Sequence, residues 1–203
     1  MMSLPRGAPR TAAHFEVVAI GASAAGVGAL TQLPAALPRS FSAVVLIAQH
    51  LDPSRKSVLA SLLDRRCLLP VGEARDGESL VSGRVYVSPP DHHLTVDHGR
   101  VALTQTVPVY FARPSVDVLF TWIAEEYGQS AIGVILSGSG RDGARAAIKH
   151  RGGVTIVQDP REAEHSRMPE SALLTGCVDV VLPLPSIGSA LARLVLEGQR
   201  TAS

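Results

Sequence analysis

The sequence has little cysteine, few aromatic residues, almost no excess charge and no long apolar run. Two cysteines with no CxxC spacing give no pattern for a disulfide scaffold or a metal site. The 19 basic and 18 acidic residues leave a net charge of +1, which gives no electrostatic basis for binding nucleic acid. No apolar run approaches the roughly 18 residues of a membrane span, and residues 1–14 lack the apolar segment of a signal peptide. We therefore expect a cytoplasmic protein without membrane insertion.

The chain does contain a large aliphatic fraction, arranged in short runs. Hydrophobic residues make up 46% of the sequence and aromatic residues only 4%, so the core must be built from Val, Leu, Ile and Ala. The length suits one domain, since single domains reach roughly 250 residues. We predict a disordered tail at residues 1–14, one folded domain over residues 15–198, and a second tail at residues 199–203.

Strand and helix patterns alternate at both ends of the chain. β-Branched runs at 16–20 and 42–48 predict buried strands, and helical spacing follows at 27–37 and 53–66. This alternation is typical of a parallel sheet covered by helices on both faces. Further along, we predict strands at 131–136, 154–158 and 178–182, and helices at 114–127, 142–150, 169–175 and 186–198. The helix at 114–127 begins with proline, and Ser115 is its predicted N-cap.

The middle of the chain follows a different pattern. Short strand candidates lie at 68–73, 84–88, 92–97 and 100–104, and residues 97–99 (DHG) form a typical hairpin turn. We interpret these strands as an antiparallel appendage. The predicted class is therefore α/β: a three-layer, doubly wound and mostly parallel sheet with an antiparallel hairpin appendage.

Three of the predicted strands end in residue types that acyl transfer requires. In such sheets, ligands bind beyond the carboxyl ends of the strands, near the point where the winding reverses. Ser23 follows the first strand as a potential nucleophile, His50 follows the second as a potential general base, and Asp142 follows a later strand as a carboxylate that could orient the histidine. We predict that these side chains form a catalytic triad.

Each of these residues also has a purely structural interpretation. Ser23 could cap the helix that follows it, and Asp142 could cap the helix predicted at 142–150. His50 could be a loop histidine that is hydrogen-bonded to the backbone. The signals are weak singly and stronger together, because they recur at one edge of one sheet.

A nucleotide-binding module is a competing interpretation. Residues 138–143 fit G-x-G-x-x-G between a predicted strand and a predicted helix, and Asp159 closes the next strand. Against it, Asp142 would place a carboxylate where a pyrophosphate must bind. The first βα turn also normally carries that fingerprint. His92 and His93 have no second ligand cluster at a suitable spacing, so they do not predict a metal site.

Six sequence blocks closely resemble, in order and spacing, the catalytic domain of the chemotaxis protein-glutamate methylesterases. The blocks lie at 17–26 (VVAIGASAAG), 45–50 (VLIAQH), 113–120 (RPSVDVLF), 133–143 (GVILSGSGRDG), 152–159 (GGVTIVQD) and 168–183. The resemblance covers residues 15–196. It implies a serine hydrolase with Ser23 as nucleophile, His50 as base and Asp142 as orienting acid, and with no metal or organic cofactor.

The resemblance also implies a substrate and its contacts. The substrate would be a methyl ester on glutamate side chains of methyl-accepting chemoreceptors or related signalling proteins, and family members also deamidate glutamines. The backbone N–H groups of Ala24 and Ser139 are candidates for the oxyanion hole. From their own positions in the sequence, Arg113 in the loop before Pro114 and His92 beside the hairpin, these two residues are candidates for substrate binding, although a solvated role for Arg113 stays open. The oligomeric state is not predicted.

The chain departs from the family pattern in its turns and in its length. Ala24 and Ala25 stand where the family usually has Thr-Gly, Ser139 stands where it usually has Met, and Glu170 stands where it commonly has Arg. A catalytically weak or inactive binding domain of the same family is therefore an alternative. Many members carry an N-terminal phospho-receiver domain, for which residues 1–14 are too few, so we expect no control by phosphorylation in cis.

Overall fold

A computed structural model of the chain describes residues 15–23, 26–50, 56–143 and 147–200, without the side chains of 198–200. The strands are β1 (Val17–Ala22), β2 (Val44–Gln49), β3 (Val71–Glu73), β4 (Val85–Val87), β5 (His93–Asp97), β6 (Arg100–Thr104), β7 (Ala131–Ile135), β8 (Val154–Gln158) and β9 (Val180–Leu182). The helices are α1 (Val27–Gln32), α2 (Leu59–Asp64), α3 (Val116–Tyr127), α4 (Ala147–His150), α5 (Arg167–Leu173) and α6 (Leu184–Arg200), with 3-10 turns at Pro34–Ala36 and Gly128–Ser130.

The larger sheet is parallel and doubly wound. Over the described ranges it has seven strands in the order β3-β4-β2-β1-β7-β8-β9, and all of its neighbouring strands run parallel. From β1 the chain builds outward on one side through β2 and β4. It then crosses to the other side through β7, β8 and β9. The winding therefore reverses between β1 and β7, where such sheets bind ligands.

Alternating side chains along the strands divide the core between the two faces of the sheet. On β1, Val18 and Ile20 pack into one cluster, which also contains side chains of α1, α2 and α6. Val17 and Ala19 pack into a second cluster, with side chains of α3, α4, α5 and the β5–β6 hairpin. A sheet buried on both faces requires continuous apolar runs, which is why β1 and β2 lack alternating polar residues.

The predicted fold class is confirmed, with one correction in the middle of the chain. Among the described strands, only β5 and β6 pair antiparallel, with Asp97 opposite Arg100 at the hairpin turn. We expected the strands now seen as β3 and β4 to belong to this appendage, and that was wrong. They extend the parallel sheet instead, β4 beside β2 and β3 beside β4. The reason is burial: Val85, Tyr86 and Val87 are all buried, as a strand covered on both faces requires.

Several helices differ in length from the prediction. The helix expected at 27–37 ends at Gln32 and continues as the 3-10 turn at Pro34–Ala36, because a proline has no N–H to donate to the preceding turn. The last helix runs to Arg200, beyond its predicted end. Parts of the predicted helices, at 53–55 and 144–146, lie outside the described residues. No helix in the described ranges is long and apolar enough to cross a membrane.

Candidate active site

Neighbouring strands bring Ser23 and His50 to the same edge of the sheet. β1 and β2 pair in register up to Ala22 opposite Gln49, and Ser23 and His50 come next on each strand. The His50 N–H donates to the carbonyl oxygen of Ala22 at 3.2 Å. The segment at 137–143 follows β7, on the other side of β1. Ser23 therefore lies at the reversal of the winding, between His50 and that segment.

His50 and Asp142 are joined by a side-chain hydrogen bond. The distance between His50 Nε2 and Asp142 Oδ2 is 2.7 Å, and the His50 side chain is 20% exposed whereas that of Asp142 is fully buried. Because the carboxylate engages Nε2, that nitrogen carries the proton of the neutral ring, and Nδ1 is left to accept one. The structure therefore brings together two of the predicted triad residues, which are 92 positions apart in sequence.

The amino end of α3 surrounds the Asp142 carboxylate with donors. Ser115 Oγ donates to Oδ1 at 2.8 Å, the Asp117 N–H donates to Oδ1 at 2.8 Å, and the Val116 N–H donates to Oδ2 at 2.6 Å. Burial alone would raise the pKa of Asp142. The hydrogen bonds from His50 and from the Asp117 and Val116 amides outweigh burial, so the pKa lies below its ordinary value. Asp142 is therefore an ionised carboxylate at neutral pH.

Asp142 does not cap the helix predicted at 142–150, which was the structural alternative for this residue. α4 begins at Ala147, and Asp142 and Gly143 lie in a turn before it. The carboxylate thus bonds to the amino end of a different helix, α3, which precedes it by some 25 residues. Residues 144–146, between Gly143 and α4, lie outside the described part of the chain.

Ser23 is buried, with 3% of its surface exposed, and its hydroxyl faces the segment that follows β7. The Ser139 N–H donates to Ser23 Oγ at 3.2 Å. The N-cap position of α1 is Gly26, three residues after Ser23. An N–H directed at a nucleophilic oxygen can also donate to the oxyanion that forms beside it. Ala24, the other predicted oxyanion donor, lies outside the described residues.

The segment that carries Ser139 is itself clamped by buried polar contacts that the sequence alone did not reveal. Gln158, the last residue of β8, accepts from the Ser137 N–H at 2.9 Å. The Gly138 N–H donates to the His165 carbonyl oxygen, and Gly138 accepts from the Met168 N–H, both at 2.9 Å. A Cβ on Gly138 would lie 2.0 Å from Met168 Sδ, so any side chain at this position would require Met168 to move. In the sequence, the sign of this contact is a polar residue, Gln158, at the end of a buried strand.

The two residues predicted to bind substrate lie in the two loops that flank the hairpin, His92 before β5 and Arg113 after β6. Arg113 Nε and Nη2 donate to Asp91 Oδ1 at 3.0 and 2.5 Å, and Nη1 donates to the carbonyl oxygens of Gln105 and Thr106. His92 Nδ1 lies 2.9 Å from the carbonyl oxygen of Pro90. The Arg113 guanidinium thus joins its own loop to the loop that carries Asp91. Substrate binding by Arg113 and His92 stays a prediction.

Relatives from several bacteria are similar to most of this chain. A family model described as CheB methylesterase matches residues 18–191. A putative protein-glutamate methylesterase/protein-glutamine glutaminase of Leptospira interrogans is 38% identical over 89% of this chain and 95% of its own length. Protein-glutamate methylesterase/protein-glutamine glutaminase 2 of Anaeromyxobacter dehalogenans is 41% identical over 92% of this chain and 55% of its own length. The chain therefore spans about half the length of this second relative.

A solved structure agrees with the sequence comparison. The catalytic domain of the Thermotoga maritima CheB methylesterase superposes with a TM-score of 0.85 at 35% identity, over 89% of this chain and 99% of that domain. The resemblance drawn from the six sequence blocks is thereby confirmed. The chain belongs to the CheB methylesterase family of carboxylic ester hydrolases.

Proposed function

We propose that this chain is a cytoplasmic enzyme that hydrolyses glutamate methyl esters on chemoreceptor-type signalling proteins by a Ser-His-Asp mechanism. The observation that carries the proposal is the hydrogen bond between His50 and a buried, ionised Asp142, at the sheet edge where Ser23 accepts from the Ser139 amide. The names of the relatives support the substrate, since both include protein-glutamate methylesterase. They also include glutaminase, which supports glutamine deamidation by the same acyl transfer.

In the first half of the reaction, the Ser23 hydroxyl attacks the ester carbonyl carbon. His50 accepts the hydroxyl proton at Nδ1, because Nε2 is engaged by Asp142. The buried carboxylate stabilises the imidazolium that forms. The carbonyl oxygen becomes an oxyanion, to which the Ser139 N–H donates, and one such donor stabilises the transition state by roughly 3–4 kcal/mol.

In the second half, His50 returns the proton to the methoxy oxygen and methanol leaves. The product is an acyl-enzyme in which Ser23 is esterified by the glutamate side chain. A water molecule then attacks the acyl carbon and gives one proton to His50. Collapse of the second tetrahedral intermediate releases the glutamate side chain as a carboxylic acid, which loses its proton to solvent, and His50 returns its own proton to the Ser23 oxygen. For a glutamine substrate the first leaving group is ammonia.

Methanol release from a methylated receptor fragment tests the proposal. We expect Ser23→Ala and His50→Ala to lose several orders of magnitude in kcat, because members of a triad act as a unit. Ser189→Ala, on the exposed face of α6, is the matched serine control and should keep wild-type activity. Equal methanol release by the wild type and the Ser23 and His50 variants would refute the assignment.

Labelling by a fluorophosphonate separates the enzyme from an inactive relative. We expect the probe to label the wild type and the Ser189→Ala control, but not Ser23→Ala. A wild-type protein that neither reacts with the probe nor releases methanol would instead support the alternative of a catalytically inactive binding domain.

A further inference from the structure

Ser115 lies where the amino end of α3 meets Asp142, and its hydroxyl makes two hydrogen bonds in opposite directions. The Oγ accepts from the Val118 N–H at 3.3 Å, which caps α3. The same Oγ donates its proton to Asp142 Oδ1 at 2.8 Å. Ser115 is fully buried, so water does not compete for either bond.

The bonds on the two oxygens of Asp142 fix how the carboxylate faces His50. Oδ1 accepts from Ser115 Oγ and from the Asp117 N–H, whereas Oδ2 accepts from the Val116 N–H and pairs with His50 Nε2. Two donors on Oδ1 oppose rotation of the carboxylate about the Cβ–Cγ bond. Oδ2 is thereby kept at 2.7 Å from the imidazole.

A buried histidine fixes the Ser115 backbone in turn. His93 Nδ1 accepts from the Ser115 N–H at 3.1 Å, and His93 Nε2 lies 3.2 Å from the carbonyl oxygen of Val107. A backbone N–H can only donate, so Nδ1 is unprotonated and Nε2–H donates to Val107. Burial lowers the pKa of His93, which favours the neutral ring that these bonds require.

We infer that Ser115 is a positioning residue for the proposed reaction, with its hydroxyl proton holding the Asp142 carboxylate in line with His50. The inference rests on the proposed function, because it matters only if His50 and Asp142 act as a pair. Ser115 does not touch the ester. It acts through Asp142, and this role is separate from capping α3.

Three substitutions separate the capping bond from the bond to Asp142. Ser115→Thr keeps both an acceptor for the cap and a proton for the carboxylate. Ser115→Asp keeps the cap, since aspartate is a preferred N-cap residue, but it has no proton to donate and brings a like charge beside Asp142. Ser115→Ala loses both bonds.

The readouts are kcat and KM for ester hydrolysis, with thermal unfolding measured in parallel. We expect Ser115→Thr to stay within about twofold of the wild-type kcat. Ser115→Ala should lower kcat about 10- to 100-fold at unchanged KM, the range for losing a hydrogen bond to a charged group. Ser115→Asp should lower kcat further while its helix remains capped.

If Ser115 only capped α3, the folded Ser115→Ala and Ser115→Thr variants would have equal kcat values, and only their stabilities would differ. That result, with activity that still depends on Ser23, would overturn the inference and leave the proposed function standing. Methanol release that does not depend on Ser23 would contradict both the proposed function and the inference about Ser115. If Ser115→Asp fails to fold, Ser115→Ala and Ser115→Thr still decide the matter, because equal kcat values for these two folded variants would overturn the inference.

Discussion

At the scale of single residues, Ser139 is expected to act through its backbone rather than its side chain. Its N–H donates to Ser23 Oγ, while the residue itself is exposed. We predict that Ser139→Ala keeps methanol release near the wild-type level. Ser139→Pro, which removes the N–H, should lower kcat about 10²- to 10³-fold. Steady-state ester hydrolysis checks both variants, and circular dichroism verifies that each is folded. Equal losses in the two variants would contradict the backbone role.

His93 makes stability depend on pH near neutrality. Burial lowers its pKa in the folded protein below the ordinary value of 6.5. The unfolded chain therefore binds a proton near pH 6.5 that the folded chain does not. It follows that His93 contributes stability above that pH, and that this contribution is lost as the pH falls toward the folded-state pKa.

We predict that the wild-type free energy of unfolding falls more between about pH 7.5 and pH 5 than that of His93→Gln, because glutamine does not titrate there. Urea unfolding at both pH values measures the difference. His98→Asn is the matched control, since His98 lies exposed in the hairpin turn at φ 48°, a conformation that asparagine tolerates. A His93→Gln variant with the wild-type pH dependence would contradict this account.

At the scale of secondary-structure elements, α3 reaches the sheet edge because Gly21 has no side chain. A Cβ on Gly21 would lie 2.2 Å from Cγ1 of Val116, the first residue of α3. The close approach of β1 and α3 brings the donors of Ser115, Val116 and Asp117 up to Asp142. Packing between these two elements therefore sets the geometry of the candidate triad.

We predict that Gly21→Ala destabilises the protein by about 1–3 kcal/mol, the usual cost of overpacking, and also lowers kcat because the amino end of α3 is displaced. Adding Val116→Ala should restore part of both losses. Gly28→Ala is the control: it lies in α1 with nothing within 4 Å of the added methyl group, and alanine stabilises a helix by roughly 0.5–1 kcal/mol over glycine. Urea unfolding and ester hydrolysis measure the effects. Equal destabilisation by Gly21→Ala and Gly28→Ala would rule out the close contact as the cause.

At the scale of the whole molecule, the strands differ in how completely they are buried. β1, β2 and β7, in the middle of the sheet, are buried at every position. β3 and β9, at its two ends, are partly exposed. Ser23, His50 and the segment with Asp142 each follow one of the central strands. The candidate site is thus attached to the most deeply buried part of the sheet.

We predict that backbone amides of β1, β2 and β7 exchange with solvent most slowly and those of β9 much faster, because edge strands open locally whereas central strands exchange only on global unfolding. Hydrogen–deuterium exchange followed by mass spectrometry measures this on the native protein. Protection of β9 equal to that of β1 would contradict the expected gradient.

The sequence by itself determined the fold class, the strand ends at which Ser23 and His50 lie, and the position of Asp142 in the segment that follows β7. Those features depend on local patterns: apolar runs mark buried strands, and a polar residue directly after a run marks the edge of the sheet. The cap role of Ser115 could be predicted in the same way, because a cap and the amide that it accepts from are only three residues apart.

Only the tertiary structure decided which strands pair and which side chains form hydrogen bonds with each other. A three-residue strand has the same local pattern beside a parallel or an antiparallel neighbour, so the pairing of β3 and β4 depended on which strands lay next to them. Asp142 stands before α4 in sequence, yet it binds the amino end of α3, because Gly21 lets that helix approach the sheet. Hydrogen bonds between residues distant in sequence require positions that only the packed core supplies.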